Sequence, residues 1–250
     1  PTTIPQTQAD LALEQAVARE ALRLALEQHK ALAVGLKGVQ RERTIADAFE
    51  QEEGGKSLID LYRIDLIIGS GGILSHAPHR VQAMMMMIDA YQPLGLTRFA
   101  VDSIFMMPHL GVLSEVNERA ATEVFLKDCL VPLGSCLAAE GRVKHGELCF
   151  AYTIRFADDR QAQGTLRFGE ILRIDLPPGA EADLQAEPSK SFDLGAGKGK
   201  AVKLQAKGGV VGLILDARGR PLYLAEEESE RVAQLRAWAK AVDLYPTEEG

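Results

Sequence analysis

Cysteine is scarce in this chain. Only Cys129, Cys136 and Cys149 occur among 250 residues, and no two of them form a C-x-x-C pair. A secreted domain held together by disulfide bonds usually has an even number of cysteines. The sequence therefore predicts buried free thiols in a reducing compartment, by default the cytoplasm.

Long apolar runs and an excess of positive charge are missing as well. The longest apolar run, residues 83–88, has six residues, whereas a helix that spans a membrane needs about 20. Lys and Arg number 28 against 35 Asp and Glu, a net charge of -7, which argues against binding nucleic acid or an anionic membrane by electrostatics alone. Aromatic residues are only 6% of the chain, so few are available to stack on bases. The chain begins with neither Met nor a basic and apolar targeting segment, so we expect a fragment or a processed chain.

The first half of the chain predicts helices that alternate with strands. Residues 8–34 are mostly strong helix formers and predict one long amphipathic helix. Its apolar face would consist of four residues at helical spacing: Leu13, Val17, Ala21 and Leu24. Glycines end this helix, and residues 37–53 predict a charged connection with a short helix at 45–49.

A strand, a glycine turn and another helix are predicted next. The apolar run 63–68 predicts the strand, Gly69–Gly72 the turn, and residues 78–90 a helix in which Met84–Met87 are buried on all sides. A second buried strand over 98–101 and a helix over 115–127 continue the alternation. This order predicts an α/β layer up to about residue 140.

From residue 147 onward the pattern predicts an antiparallel β domain. Residues 148–156 alternate in polarity, Asp158 and Asp159 predict a hairpin turn, and further short strands are predicted at 165–168, 171–176, 201–205, 210–215 and 221–224. A closing helix over 227–242 would place one apolar face toward the protein: Val232, Leu235, Trp238 and Val242. The sequence therefore predicts an α/β lobe at 1–146 that carries the glycine turn, a β domain at 147–225, and a C-terminal helix and tail at 226–250.

The glycine turn is the most informative candidate site. A strand that runs into Gly69, Ser70, Gly71 and Gly72 lets a ligand approach the backbone closely, and the next helix offers free N–H groups, which suits a nucleotide. The spacing is neither G-x-G-x-x-G nor a Walker loop, so a purely structural turn is an equal alternative. Asp102 follows the next strand, where open α/β sheets place ligand-binding groups, although an Asp there also commonly caps a turn.

His76 and His79 beside the turn, with Asp102 and His109 elsewhere in the chain, are of types that bind Zn²⁺ or Fe²⁺. The H-x-x-H pair spans Pro78 and lacks the i, i+4 spacing of helical metal sites. Histidines in a loop without a metal are therefore the favoured interpretation, and neither a metal ligand nor a catalytic residue is assigned.

Two later turns carry charged residues. Residues 193–200 resemble a phosphate loop but lack the G-x-x-x-x-G-K-[ST] spacing, so they predict a glycine-rich turn between strands. Residues 216–221 predict a hairpin tip on which Arg218 and Arg220 could bind a phosphate or a carboxylate of a partner. Solvated turn charges are the alternative there.

Three segments resemble one known family. They are DLIIGSGGILSHAP at 65–78, AVDSIFMMPHLGVL at 100–113 and GGVVGLILDARGRPL at 208–222. All three resemble the glutamate mutase accessory family, called MutL or GlmL, which shares only a name with the mismatch-repair protein. The resemblance covers the chain from about residue 29 to 224.

This resemblance implies a fold, a cofactor and a partner. The fold would be the second lobe of an actin-like ATPase of the ASKHA superfamily, followed by the β domain and the C-terminal helix. Gly69–Gly72 match the glycine turn that contacts adenosine, and four further residues match family motifs without an assigned role: Ser75, His76, Asp102 and His109. The implied cofactor is ATP or ADP with Mg²⁺, and adenosylcobalamin would be bound only by the partner, a cobalamin-dependent mutase.

One feature of the actin-like fold is missing from the sequence. No D-x-G-x-[ST] phosphate motif follows a predicted strand, and the nearest string, Asp193-Leu194-Gly195, lies in the predicted β domain. We therefore expect the chain to be the C-terminal part of a longer protein, an ATPase only when an N-terminal lobe completes it. The leading hypothesis is a nucleotide-dependent protein that assists or reactivates the mutase, and the alternative is a nucleotide-independent docking module for a partner enzyme.

Overall fold

The computed structural model of the chain describes residues 4–35 and 59–246. The predicted charged connection over 37–53, with its short helix, lies outside the described residues. Within them, no helix is long and apolar enough to cross a membrane.

The chain forms five α-helices and nine strands in the described ranges. The helices are α1 (Gln8–Gly35), α2 (Gly72–Ser75), α3 (Arg80–Tyr91), α4 (Met107–Val124) and α5 (Glu228–Ala241). The strands are β1 (Leu66–Gly69), β2 (Gly95–Asp102), β3 (Leu130–Ala138), β4 (Leu148–Phe156), β5 (Gln161–Arg167), β6 (Ile171–Ile174), β7 (Glu181–Pro188), β8 (Val202–Lys207) and β9 (Gly212–Asp216). A short 3₁₀ turn at Leu61–Arg63 precedes β1, and a π-helical turn at Phe125–Cys129 follows α4.

The strands form two sheets. The first has the order β1-β2-β3-β9-β6 and the second, which is antiparallel throughout, the order β5-β4-β7-β8. In the first sheet β1 and β2 are parallel, β3 is antiparallel to β2, and β9 is parallel to β3. The predicted mixture of an α/β part and antiparallel strands is therefore confirmed at the level of a mixed α/β fold with two sheets and a C-terminal helix.

The first sheet contains strands from both the predicted α/β lobe and the predicted β domain. Strands β6 and β9 come from the predicted β domain, yet they pair with each other and β9 pairs with β3. The C-terminal residues Trp238, Val242 and Leu244 are buried in the same core as the α3 methionines. A division of the chain at residue 146 therefore does not separate the two sheets.

Helix α3 is buried on all sides, as the four consecutive methionines predict. Met84–Met87 are at most 3% exposed, and the helix lies between α1 and the first sheet. It positions the glycine turn, because a Cβ added to Gly69 would lie 2.7 Å from the Met87 sulfur. Only glycine lets β1 end this close to the helix without a shift of Met87.

The predicted buried face of α1 is wrong. Leu13, Val17 and Leu24 are exposed, whereas Ala18 is buried against the core and Gln15 is also buried. The helix carries apolar residues on two sides, and the side that contains Ala18 is the one that packs on α3.

Two strands were not predicted, and one predicted strand is absent. Strands β3 and β7 were not recognised in the sequence, and residues 221–224 form turns and irregular structure where a strand was predicted. The hairpin turn at Asp158–Asp159 is confirmed, since Asp159 adopts a left-handed conformation (φ 64°) between β4 and β5.

Candidate functional site

The three glycines of the turn differ in backbone conformation and in the space around their Cα atoms. Gly71 has φ 100° and precedes the first residue of α2, and its carbonyl accepts hydrogen bonds from the N–H groups of Leu74 and Ser75. A Cβ on Gly71 or Gly72 would meet no atom within 4 Å, whereas one on Gly69 would collide with Leu74 and Met87. Packing therefore explains Gly69, backbone conformation explains Gly71, and neither explains Gly72, which faces open space.

Asp102 connects the glycine turn to the start of α4. Its Oδ2 accepts hydrogen bonds from the Ser70 hydroxyl (3.2 Å) and the Met107 N–H (2.9 Å), and its carbonyl accepts one from the Ser75 hydroxyl. Burial alone would raise the pKa of Asp102, but the Met107 N–H and neighbouring backbone N–H groups outweigh it and lower the pKa. The turn-capping alternative is thus present in the structure. Its other oxygen, Oδ1, is buried and has no well-aligned hydrogen-bond partner in the described ranges.

A cavity of about 1150 Å³ lies beside the glycine turn. Its walls come from three distant parts of the chain: the start of α1 with the residues before it, the turn and the loop into α3, and the C-terminal residues Tyr245 and Pro246. Its polar lining includes Glu14, Gln15, His76, His79 and Gln82. Pockets of roughly 300 to 1,000 Å³ hold drug-sized ligands, so the volume is sufficient for a nucleoside.

The predicted site residues divide between this cavity and the interior. Gly72 and His76 line the cavity. Gly69, Ser75 and Asp102 are buried, while Ser70 and Gly71 are partly exposed. The structure brings all seven into one turn region, and their role in binding a cofactor stays a prediction.

The geometry gives no support to a metal site at His76, His79 and Asp102. Both histidines line the cavity, but Asp102 does not, and at the start of α3 the Gln82 N–H donates to the His79 backbone carbonyl (3.0 Å). In residues 4–35 and 59–246, no group of three His, Cys, Asp or Glu side chains could hold a metal ion.

Sequence reasoning missed three residues of the cavity wall: Gln15, Gln82 and Tyr245. Gln15 and Gln82 are 1% and 0% exposed, and their amides are joined by a 3.1 Å hydrogen bond. A glutamine inside the apolar run of α3 was the available signal, since an uncharged amide in a buried position needs partners. Tyr245 gave no comparable signal.

The prediction of an exposed tip at Arg218 and Arg220 is wrong. The two residues are 2% and 5% exposed, and both guanidinium groups bind Asp216, at 2.8 and 2.7 Å. Arg218 also lies 2.9 Å from Asp89 and stacks over the Trp238 ring at 4.8 Å. Solvated turn charges are therefore also excluded for this pair. Contact of Arg218 and Arg220 with a partner stays a prediction, but both side chains already form ion pairs within the chain.

The loop at 193–200 is a glycine-rich turn, as predicted. Gly195, Gly197 and Gly199 have positive φ angles. The Asp193 carboxylate accepts the N–H groups of Gly195 (2.7 Å) and Gly197 (2.9 Å). These two N–H groups already have an anionic partner within the loop and are therefore not free for a bound phosphate.

Fold and cavity together define a mixed α/β protein with a candidate small-molecule site at a glycine turn. A family model described as MutL protein matches residues 1–129, which include α1, the glycine turn, Asp102 and α4. The chain belongs to this family, the accessory proteins of glutamate mutase. No curated protein and no solved structure matches the chain.

Proposed function

We propose that this chain binds ATP or ADP with Mg²⁺ beside the glycine turn and uses that binding to assist or reactivate an adenosylcobalamin-dependent mutase of the glutamate mutase type. The observation that carries the proposal is the open space at Gly71 and Gly72 next to a cavity large enough for a nucleoside, in a member of the glutamate mutase accessory family. Adenosylcobalamin belongs to the partner in this proposal.

The lining of the cavity fits the base and sugar of a nucleotide. Its polar side chains, such as the amide of Gln15, the imidazole of His76 and the carboxyl group of Glu14, lie beside apolar walls from Leu11 and Ile73. Specific pockets commonly combine a mostly apolar wall with a few polar groups in this way. The lining described by the structure contains no lysine or arginine, so the phosphates and Mg²⁺ would have to be held by other groups. Bound nucleotide would supply negative charge and binding energy, and these would favour one arrangement of the lobes over another.

The unit β1, glycine turn, α2, α3 and β2 would be the adenosine side of an actin-like ATPase lobe. Its two strands are parallel and are joined through helices, which is the arrangement that places ligands at the carboxyl ends of strands. ATP and ADP would favour different arrangements of the lobes because they make different contacts in each, and this bias would be passed to the mutase.

Titration of Mg-ADP into the 250-residue chain by calorimetry tests the binding step. Gly72→Leu places a side chain in the open space beside the cavity, and we expect it to weaken binding at least about tenfold, which corresponds to about 1.4 kcal/mol. Gly111→Leu is the matched control, because Gly111 on α4 also has open space around it and does not line the cavity. Equal affinities for both variants and the parent chain would contradict the assignment of the site.

Recovery of an inactivated glutamate mutase tests the assisting step. We expect ATP to speed the return of mutase activity in the presence of this protein, completed by any further lobe that its gene encodes. Gly72→Leu should remove the ATP effect and Gly111→Leu should keep it. Recovery that is independent of ATP would contradict a nucleotide-driven role.

A nucleotide-independent docking module is the second candidate, and one surface favours it. The segment that follows Asp102 exposes Ile104, Phe105, Val112 and Val116, at 48% to 87% exposure. Large exposed apolar patches commonly mark protein interaction sites. Under this candidate, Val116→Glu would abolish capture of the mutase in a pull-down with or without ATP, and Gly72→Leu would leave it unchanged.

A further inference from the structure

The C-terminal end of the described chain closes one side of the cavity. The Tyr245 hydroxyl donates to Gln15 Oε1 (3.0 Å), and the Gln82 amide donates to the Leu244 carbonyl (3.0 Å). The Gln15 amide in turn donates to Gln82 Oε1 (3.1 Å). Residues 244–246, which we name the C-terminal strap, are therefore hydrogen-bonded to α1 and α3 at once.

The polar groups that hold the strap depend on one another. Gln15 and Gln82 are buried, and a buried polar group without a partner is unfavourable. Breaking one of these hydrogen bonds therefore destabilises the others. The Leu244 side chain is also buried in the core with Val242 and Trp238. The strap is thus the continuation of α5 into the cavity wall.

A ligand in the cavity would contact all three segments together. Gly72 and His76 come from the glycine turn, Gln15 from α1, and Tyr245 and Pro246 from the strap. A molecule that binds only when these segments are assembled stabilises their assembly by mass action. Resting on the proposed function, we infer that nucleotide binding and docking of the C-terminal strap are coupled, so that the strap and α5 report the occupancy of the cavity.

Trp238 on α5 connects the C-terminal strap to residues beside the first sheet. Trp238 on α5 donates its indole N–H to the Gly169 carbonyl between β5 and β6 (2.7 Å), and its ring lies against Arg218 after β9. A shift of the strap would therefore move contacts made by β6 and β9 in the first sheet. Trp238 is the single tryptophan of the chain, so its fluorescence is a direct readout.

Hydrogen exchange of the full 250-residue chain, with Mg-ADP as the probe, tests the inference. We expect ADP at 100 times its Kd to slow exchange in residues 242–245 by up to about 100-fold and to change the Trp238 emission. Tyr245→Phe removes only the hydroxyl that bonds Gln15, so we expect about five- to tenfold weaker ADP binding and loss of most of the protection. Tyr223→Phe is the control, because Tyr223 lies outside this cavity and packs under Arg142.

The possible results separate this inference from the proposed function. ADP binding with unchanged exchange at 242–245, and with equal affinity for Tyr245→Phe and the parent chain, would overturn the coupling and leave the nucleotide site standing. Failure of the parent chain to bind ADP would overturn both. Slower exchange in the parent chain, together with weaker binding by Tyr245→Phe but not by Tyr223→Phe, is the result expected from the coupling.

Discussion

At the scale of single residues, Asp216 is a buried carboxylate whose charge is balanced by two buried arginines. It is fully buried, and it binds Arg218 at 2.8 Å and Arg220 at 2.7 Å. Asp216→Asn would leave two buried guanidinium groups short of a counter-charge. We expect a loss of about 3–5 kcal/mol in the free energy of unfolding, the usual result of breaking a buried pair from one side. Urea denaturation followed by circular dichroism measures it.

An exposed pair provides the control for that variant. Asp158 binds Arg160 at 2.6 Å, but both side chains are more than half exposed. Because solvent screens such a pair, Asp158→Asn should change the free energy of unfolding by at most about 1 kcal/mol. Similar losses for the two variants would show that the Asp216 cluster does not contribute as the buried ion-pair group described above.

The same carboxylate predicts a pH dependence of stability. Burial would raise the pKa of Asp216, but Arg218 and Arg220 hold it well below its usual range. The unfolded chain, with an Asp pKa of about 3.9, therefore takes up the proton first as the pH falls. The stability from this group is complete above about pH 5 and decreases as the pH falls through 4 toward the folded pKa.

Urea midpoints at pH 3, 4, 5 and 7 test this pH dependence. The parent chain should lose more stability between pH 5 and pH 3 than Asp216→Asn, which lacks the titrating group. Asp158→Asn should follow the parent chain more closely. An equal loss in the parent chain and in Asp216→Asn would refute the assigned direction of the pKa shift.

At the scale of elements, α1 shows why periodicity alone gave the helix but not its buried side. Leu13, Val17 and Leu24 have the spacing of a core-facing stripe, yet the structure leaves them at 52% to 67% exposure and buries Ala18. Small residues let α1 approach α3 closely, and that preference depends on α3 and not on the pattern of α1 itself. Local propensity predicts where a helix begins and ends. Which face of the helix is buried depends on the element against which it packs.

This orientation predicts effects of very different size on the free energy of unfolding at two adjacent positions. Val17→Gln should change the free energy of unfolding by less than about 0.5 kcal/mol, because the side chain is 62% exposed. Ala18→Gln should cost about 2 kcal/mol or more, because it forces a larger, polar side chain into the core. Thermal unfolding of both variants measures the difference. A greater loss at Val17 than at Ala18 would mean that the exposed stripe is covered in solution.

The strands that the sequence did not predict share a physical reason. Strand β3 contains Pro132 and Gly134, which usually mark loops, and the β7 side chains that face inward include the small Ala182 and Ala186. Gly134 is needed because a Cβ there would lie 1.8 Å from the Gly212 carbonyl on β9. Both strands contain residues that strand propensity disfavours, and both are held by pairing with other strands, β3 with β2 and β9 and β7 with β4 and β8. The glycine turn was predictable because a strand, a turn and a helix are consecutive there, whereas the cavity wall required Gln15, Gln82 and Tyr245 to meet.

At the scale of the whole molecule, the segment matched by the family model is incomplete as a packing unit. The match ends at residue 129, but β2 is paired with β3, which begins at Leu130, and β3 with β9. The core around the α3 methionines also includes Ile214, Trp238 and Val242. Removing everything after residue 129 would expose the apolar side of α3 and leave β2 as a sheet edge, a known site of aggregation.

Because the first sheet takes β6 and β9 from the part of the chain that also forms the second sheet, we expect the two sheets to unfold together. The probe is favourable: Trp238 is the single tryptophan and lies in the core of the first sheet, while far-ultraviolet circular dichroism reports on both sheets. The two signals should give the same midpoint in urea, as a two-state transition requires. A chain truncated after residue 129 should show no cooperative transition by circular dichroism. If the tryptophan signal and the circular dichroism had separate midpoints, the two sheets would be independent folding units, and the packing of Leu137, Leu213 and Leu215 against the second sheet would be too weak to join them.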